Sequence, residues 1–282
     1  MRPWVMFRLP NALPEELLLS RLIRFVTISG VSGSQFLKAC FGSRKKSVHP
    51  FLTSGLNSIA EIFNEDAVKL LRNETLAPLF SFFMPEHAAY LQQMMLTNNA
   101  AKAIRASQLP SFESGSTLAL KYCPVCVCND LYDYGVSYWH RDHQVPGLTV
   151  CSRHGALLLY QDLDCRQRVT PGLLPSPSQT YEKVTKAEQA VAKFTNNLLE
   201  LLTAQTPENY ASDTYKARLC ELGYLTVSGR VRRKALMSEF WLFISTFRQH
   251  PFTPLPIGPK DYRYVSQLLE RRTNHHPFRH LV

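Results

Sequence analysis

Two segments decide how the middle of this chain folds: Lys121-Tyr122-Cys123-Pro124-Val125-Cys126 and, after 24 intervening residues, Cys151-Ser152-Arg153-His154. In each segment two residues separate a pair of metal-binding side chains, so one tight turn can direct both toward a single point. Three thiols and one imidazole suit tetrahedral zinc, and protein fills all four positions. Because a catalytic zinc keeps one position for water, we predict a single structural zinc ion. Its predicted ligands are Cys123, Cys126, Cys151 and His154.

Other cysteines and histidines are weaker candidates for the same metal. Cys128 lies close enough to be a rival ligand, but it breaks the two-residue spacing. We interpret His140 and His143 as polar or packing residues, because a second metal would need more donors than this region offers. The seven cysteines are odd in number and unevenly placed, which indicates metal in a reducing cytosol rather than a disulfide framework. The three that stand alone are Cys40, Cys165 and Cys220.

Aromatic residues and cations alternate between the two half-sites, from Tyr132 to His143. Rings beside arginines can stack on bases or lie along a nucleic-acid backbone, which makes Arg141 a candidate DNA contact. The alternative is that Tyr138 and Trp139 fill a small core over the metal. We favour that alternative for Trp139, because a small zinc module needs such residues to cover the ion.

Length and charge narrow the class of protein. The 282 residues suffice for two domains, and a hydrophobic fraction of 45% indicates a globular chain. No apolar run reaches the length of a membrane helix, and the N-terminus lacks the pattern of a secretion signal, so we expect a cytoplasmic protein that does not enter a membrane. Lys plus Arg exceeds Asp plus Glu by 32 to 22, and a net charge of +10 suggests a polyanionic partner such as nucleic acid.

Two helices joined by a glycine-containing turn are predicted between Pro14 and Phe41, with Ser34 capping the second. This is the outline of a helix-turn-helix, although most helical hairpins never contact DNA. A basic run directly after the second helix favours the DNA interpretation, and a solvated loop is the alternative. The run consists of Arg44, Lys45 and Lys46.

The rest of the chain also has mostly helical periodicity. Residues 56–105 are predicted to be helical, Thr170 to Thr180 reads as a proline-rich linker, and four later helices are predicted. These span 183–202, 215–225, 235–247 and 262–270. We therefore predict a mainly α fold with a small zinc ribbon of short strands. Its expected domains are an N-terminal helix-turn-helix bundle (1–106), a zinc-binding module (117–168) and a C-terminal helical DNA-binding region (181–282).

The segment 230–234 places four cations within five residues, at the start of a predicted helix. A helix N-terminus already attracts anions, so this combination suits the phosphate backbone of DNA better than a base edge. The alternative is a solvated helix cap. The candidate phosphate contacts are Arg230, Arg232, Arg233 and Lys234.

No catalytic constellation is found. The sequence contains no nucleophile elbow, phosphate-binding loop or His-Glu-x-x-His motif. Asp130, Asp133 and Asp142 could be imagined as a metal-dependent nuclease site, but loop and cap acids beside a zinc module are the better interpretation. We expect a protein that is not an enzyme.

Several segments resemble the TnsD/TniQ family of target-selection proteins from heteromeric DNA transposons. The family pattern of Tyr-Cys-Pro-x-Cys, an aromatic-Trp-x-Arg segment and Cys-x2-His-Gly is similar to residues 122–126, 138–147 and 151–157. Residues 14–24 resemble the family's opening segment. Three later segments resemble the TnsD-like branch: Leu222-Gly223-Tyr224, Gly229-Arg230-Val231 and residues 276–281. In that branch the chain continues further, so we expect this sequence to be an N-terminal portion.

The family resemblance implies a function. Members recognise an attachment site on double-stranded DNA and recruit an AAA+ ATPase regulator, which activates a separate transposase; they are adaptors in the bacterial cytoplasm, at the nucleoid. Some members linked to RNA-guided complexes carry a second zinc module, whereas only Cys165 follows here, which favours sequence-directed targeting. The alternative is a zinc-stabilised adaptor that links an RNA-guided effector to the transposition machinery without reading sequence itself.

The same resemblance suggests a division of labour along the chain. The zinc and C-terminal regions carry concentrated basic clusters, so we expect them to read the target site. The N-terminal helices are then free to meet the ATPase, and Leu17, Arg21 and Arg24 are the candidate partner contacts. The rival assignment makes the N-terminal helix-turn-helix the reader of the DNA sequence.

Overall fold

A computed structural model of the chain describes residues 8–107, 119–163, 168–179, 182, 184–205, 212–247, 255–268 and 278–282. These residues form a mainly helical structure with one two-stranded sheet, which confirms the predicted class. The helices before the sheet are α1 (Leu18–Ser29), α2 (Gly33–Phe41), α3 (Leu56–Phe63), α4 (Ala67–Glu74), α5 (Ala77–Phe83), α6 (Pro85–Leu96) and α7 (Ala100–Ala106). The later elements are β1 (Ala119–Tyr122), α8 (Pro124–Tyr134), a 3-10 turn (Asp142–Gln144), β2 (Leu159–Asp162), α9 (Lys186–Ala204), α10 (Ser212–Glu221), α11 (Arg233–Ile244), α12 (Tyr262–Leu268) and α13 (Phe278–Leu281).

The first two helices lie where the sequence predicts them. Gly30, with φ of 66°, ends α1, because a residue without Cβ adopts this left-handed conformation at low cost. The predicted N-cap of α2 was wrong: Ser32 caps the helix by accepting from the amide of Gln35, and Gln35 completes a capping box. Ser34 instead lies exposed within the first turn. The use of this helix pair as a DNA-binding helix-turn-helix stays a prediction.

One continuous apolar core joins α1–α7 to the later elements. Phe25 of α1 packs edge-on against Phe63 of α3 with ring centroids 4.8 Å apart, and it also contacts Phe36 of α2. Each fully buried phenylalanine stabilises the fold by about 1.5–3 kcal/mol. The three rings therefore fix the first helices on one another.

The central module contains a short antiparallel sheet and a helix. Strand β1 pairs with β2 in a register that runs from Ala119 opposite Asp162 to Tyr122 opposite Leu159. Helix α8, which the sequence analysis missed, begins directly after Cys123, with Pro124 in its first turn, and ends at Gly135. The module thus differs from a plain ribbon, because one of its two half-sites opens a helix.

This module is bonded to the N-terminal helices by backbone hydrogen bonds. The amide of Leu17 donates to the carbonyl of Trp139 over 2.9 Å, and the amide of Arg141 donates to the carbonyl of Glu15 over 2.8 Å. The hydroxyl of Ser20 accepts from the amide of Trp139. These contacts cross the predicted boundary between residues 106 and 117, so the two segments pack as one body.

The segment after β2 forms an ordered strap where a linker was expected. Its described residues, 168–179, exclude Thr180 of the predicted linker. The amide of Gly172 donates to the hydroxyl of Thr27 on α1, and the carbonyl of Leu173 accepts from the indole of Trp139. The carbonyl of Pro175 accepts from Ser137 over 2.6 Å. Two buried donors, Trp139 and Ser137, and one acceptor on α1 thus hold the strap by its backbone groups.

The C-terminal helices contribute to two separate apolar clusters. Helix α9 begins with a capping box at Thr185 and Glu188 and packs on α5 and on the 3-10 turn, so it belongs to the main core. Helices α11 and α12 enclose a separate small cluster around Met237 and Tyr264. Among the described helices, none is both long and apolar enough to cross a membrane.

Candidate metal centre and basic surfaces

The four predicted ligands converge on one point. Nδ1 of His154 lies 3.6 Å from Sγ of Cys123, 3.3 Å from Sγ of Cys126 and 3.6 Å from Sγ of Cys151. The sulfurs of Cys126 and Cys151 are 3.7 Å apart. Zinc bonds of about 2.3 Å to sulfur and about 2.0 Å to nitrogen, arranged tetrahedrally, require separations of about 3.8 Å and about 3.5 Å. The donor set therefore has the size and chemistry of a tetrahedral metal site.

Local backbone geometry explains this convergence. Cys123 is the N-cap residue of α8 and Cys126 lies in its first turn, so the helix start aims both thiols the same way. On the other side, the amide of Gly155 donates to the carbonyl of Cys151, which closes a tight turn. Gly155 has φ of 57°, and an added Cβ would lie 2.8 Å from Nε2 of Gln189 on α9. The left-handed backbone of the turn therefore favours glycine, whereas the flexible end of Gln189 could move away from a Cβ.

The three sulfurs strongly shift one another's pKa values. Hydrogen bonds from the thiols of Cys126 and Cys151 lower the pKa of Cys123 to about 3. Contact with the other two sulfurs, and then burial, raise the pKa of Cys126. Three crowded sulfurs cannot all ionise without a nearby positive charge, and a divalent metal ion supplies one. The cluster can thus bind a metal with release of protons.

Two further side chains touch the ligands from outside. The side-chain amide of Asn129 on α8 lies 3.3 Å from Nε2 of His154. Nδ1 of His154 faces the sulfurs, so Nε2 carries the proton when Nδ1 binds a metal. The atom of Asn129 nearest to Nε2 is Nδ2, and a half-turn of the amide would present its oxygen as the acceptor for that proton. Nε2 of His143 lies 3.8 Å from Sγ of Cys126. The sequence analysis did not identify Asn129, whose position i+6 from Cys123 gives no spacing signal.

The remaining polar residues of the module have structural roles. Asp130 accepts from the buried His140 over 2.8 Å, and the completely buried His143 packs its ring near that of His140. Asp142 is buried and accepts from the backbone amide of His143. Asp133 is exposed on α8. Within the described residues the only group of donors that could hold a metal ion is the Cys3His cluster, and neither Cys128 nor the three aspartates belong to it.

Comparison with known proteins identifies the family of this chain. The family model described as TniQ matches residues 7–158, more than half of the sequence and all four candidate ligands. The chain belongs to the TniQ family. The transposon Tn7 transposition protein TnsD of Escherichia coli is 29% identical over 157 residues, which cover 54% of this chain and 31% of that relative. The match thus spans about a third of the relative's length.

Arg141 of this TniQ-family chain does not form a DNA-facing surface, contrary to the sequence prediction. Its side chain is completely buried. The guanidinium donates to the carboxylate of Glu15 over 2.6 Å, to the carbonyl of Arg72 and to the hydroxyl of Thr203. Arg141 therefore joins the N-terminal segment, α4 and α9. Trp139 is also fully buried, but it lies in the main core and not in the small cluster around the metal ligands, so it does not cover the metal as the sequence interpretation held.

Two of the three predicted partner contacts at the start of α1 are also buried, whereas Arg24 is partly exposed. Leu17 has no exposed surface, and Arg21 is 5% exposed. Arg21 donates to Glu65 and to Glu74, while Arg24 donates to Glu16 over 2.6 Å. Helix α1 has apolar residues on more than one side, which shows that it is a core helix. Its basic residues compensate buried carboxylates.

The basic run after α2 divides into two parts. Arg44 and Lys45 are exposed and available to a partner. Lys46 is half-buried: its ammonium donates to the carbonyl of Asn98 over 3.0 Å and lies over the ring of Phe41. Lys46 therefore anchors the loop. The exposed side of α2 adds Lys38 to this surface, a residue that the sequence analysis did not select.

The second basic run matches its prediction in position. All four cations are exposed, and none of them forms a salt bridge with an acid among the residues that the structure describes. Two lie in the segment before α11 and two at its start. They are Arg230, Arg232, Arg233 and Lys234. The surface therefore carries uncompensated positive charge, and its contact with DNA stays a prediction.

Proposed function

We propose that this TniQ-family chain is a zinc-stabilised target selector for DNA transposition. It binds double-stranded DNA at an attachment site and recruits an AAA+ ATPase regulator, through which transposase subunits are activated. The observation that carries the proposal is the family match over residues 7–158, together with the similarity to the Tn7 transposition protein TnsD. The chain itself performs no catalysis, and it works at the bacterial nucleoid.

Zinc is the metal that best suits the Cys3His cluster. Thiolate and imidazole donors in a tetrahedral array of this size are typical of structural zinc sites. Every donor comes from the protein, so the ion stabilises the module and has no position open for a substrate. The bound metal supplies folding free energy and fixes α8 against the turn at Cys151.

DNA contact in this proposal rests on the exposed run that ends at Lys234. Its cations bind phosphates and fix the chain on the duplex without reading bases. Replacing Arg230, Arg232 and Arg233 with alanine should weaken duplex binding and reduce the salt slope by roughly one unit per lost phosphate contact. Fluorescence anisotropy with a mixed-sequence duplex over a range of salt concentrations measures both quantities.

A charge-matched variant is the control for this measurement. Three exposed lysines on α4 and α9, each replaced by alanine, remove the same net charge from other surfaces. They are Lys69, Lys186 and Lys193. If both triple variants lose affinity equally, the run is only a solvated cap. If the unsubstituted chain shows no salt-dependent binding at all, the alternative adaptor without its own DNA contact is favoured.

The partner surface is proposed to lie on the exposed side of α2 and the loop after it. Because the predicted contacts at α1 are mostly buried, the proposed contacts are the exposed cations Lys38, Arg44 and Lys45. Lys38→Glu combined with Lys45→Glu should abolish ATPase recruitment and spare protection of the attachment site by footprinting. Lost protection with recruitment intact would instead establish the N-terminal helix pair as the reader of the DNA sequence.

A further inference from the structure

A short β-hairpin links α10 to α11. Leu225 and Val231 form an antiparallel bridge, and the amide of Thr226 donates to the carbonyl of Arg230 over 2.8 Å. The three-residue loop between them ends at Gly229, whose φ of 72° suits the left-handed position of such loops. The amide of Gly229 also donates to the carbonyl of Thr226 over 2.8 Å. These bonds hold the hairpin in one shape.

The two faces of this hairpin differ. Directly opposed residues of an antiparallel pair share a face, so Thr226 lies beside Arg230 and Tyr224 lies beside Arg232, whose amide donates to the Tyr224 carbonyl over 2.7 Å. This polar face carries two guanidinium groups that are one strand repeat apart. The opposite face carries the bridge pair, which is partly buried.

The tip of the hairpin is apolar and stands in solvent. Val227, the first loop residue, is 109% exposed, which makes it more exposed than any other large apolar side chain in the described ranges. A single exposed valine is ordinary on a protein surface. Here it projects from a hydrogen-bonded hairpin with uncompensated cations beside it. This geometry would let the tip enter a groove of a negatively charged partner while the cations bind at its edge.

Nearby acids do not neutralise these cations. Glu221, at the end of α10, pairs with Arg218 over 2.6 Å. Glu239 on α11 accepts from the hydroxyl of Tyr224, and that hydrogen bond raises the pKa of the tyrosine. Glu239 thereby ties the hairpin to α11. Within the described residues neither acid forms a salt bridge with Arg230 or Arg232, so both guanidinium groups stay open to an external anion.

We propose that this hairpin, resting on the proposed DNA-binding function, enters the major groove of the target duplex. In undeformed B-DNA a two-stranded ribbon fits the major groove, which is about 12 Å wide, whereas the minor groove of about 6 Å would have to be opened. Arg230 and Arg232 bind phosphates at the rim. The methyl groups of Val227 contact the apolar edge of the bases, where thymine presents its own methyl group. The hairpin therefore adds a base contact to a surface otherwise fitted for phosphates.

Val227→Glu tests the position of the tip. The substitution places a carboxylate where DNA is expected, and because Val227 is fully exposed the variant should keep the melting temperature of the parent chain. Val68→Glu is the matched control: it makes the same change at a 60% exposed valine on α4. With a mixed-sequence duplex, we expect a loss of affinity of about tenfold or more for Val227→Glu and a change below about twofold for the control.

A second variant separates groove entry from charge. Arg230→Gln with Arg232→Gln should lower the salt slope by about two units, since each phosphate contact contributes about 0.9. Val227→Ser should weaken binding with the slope unchanged. If Val227→Glu binds like Val68→Glu, the tip does not touch DNA, and this inference is wrong while the DNA-binding proposal stands. If the parent chain itself binds no duplex, the proposed function fails first.

Discussion

Four residues define the metal centre, and their spacing alone identified them. Two-residue gaps force adjacent side chains toward one point, so the prediction needed no tertiary information. The burial of the Arg141 side chain could not be predicted in the same way. Its guanidinium is buried by Glu15 and Thr203, which lie far away in sequence, and a local pattern of aromatics and cations looks the same on a surface as in a core.

Loss of a ligand should remove the metal and destabilise the chain together. We expect one zinc per chain by elemental analysis of pure protein, and Cys123→Ser or His154→Ala should reduce both zinc content and solubility. Metal binding contributes on the order of 10 kcal/mol in isolated zinc modules. Cys128→Ser is the control, since this exposed cysteine on the same helix lies outside the cluster. Zinc-free protein of normal stability would contradict the assignment.

Asn129 should hold His154 in its metal-binding orientation. Asn129→Leu removes the group that accepts from Nε2, and outer hydrogen bonds of this kind contribute about 10–100-fold to metal affinity. Competition with a chromogenic chelator measures that affinity. Asn129→Asp keeps an acceptor oxygen and should bind zinc at least as well as the parent chain. Equal loss in both variants would mean that the side chain only packs there.

At the scale of elements, the sequence located the helices well and their ends less well. Periodicity predicted α1, α2 and α9–α12, because an apolar stripe survives small shifts in helix ends. Helix α8 was missed, since its first turn is occupied by metal ligands and its outer face is mostly polar or aromatic. Prolines and a glycine at 170–180 predict a linker, because the sequence does not reveal which donors the carbonyls of this segment meet.

The N-cap of α2 gives a direct test of one such correction. Ser32→Ala removes the side chain that accepts from the amide of Gln35, and loss of an N-cap costs about 0.5–2 kcal/mol. Ser34→Ala, at the residue expected from sequence to cap the helix, should leave the free energy of unfolding nearly unchanged. Urea denaturation of the two variants measures the difference. The reverse order of stabilities would restore the original assignment.

At the scale of the whole molecule, one buried imidazole makes the fold sensitive to acid. His49 is 4% exposed, its Nδ1 accepts from the amide of Leu52, and burial lowers its pKa to about 3. The unfolded chain binds a proton near the ordinary pKa of about 6.5, whereas the folded chain does not. Stability from this residue is therefore full above pH 6.5 and falls as the pH drops toward 3.

Comparison with a variant isolates this contribution. Between pH 7 and pH 4.5 the parent chain should lose about 2–3 kcal/mol that is due to His49 alone. His49→Gln has no titrating group, so it should be less stable than the parent at pH 7 but lose less on acidification. Thermal unfolding at the two pH values gives the difference. Parallel loss in both proteins would show that other groups cause the acid sensitivity.

The hydrogen bonds between the N-terminal helices and later segments bear on the order in which the chain is made. Ser20 forms its hydrogen bond with Trp139, which is made 119 residues later, and Thr27 forms one with Gly172, which is made 145 residues later. During synthesis α2 and α3 can cover part of α1 early, but the side of α1 that meets Trp139 and the strap stays exposed until those residues are made, and such distant contacts form slowly. A nascent chain that stops before the strap leaves that side of α1 uncovered, so we expect ribosome-bound fragments shorter than about 175 residues to stay protease-sensitive.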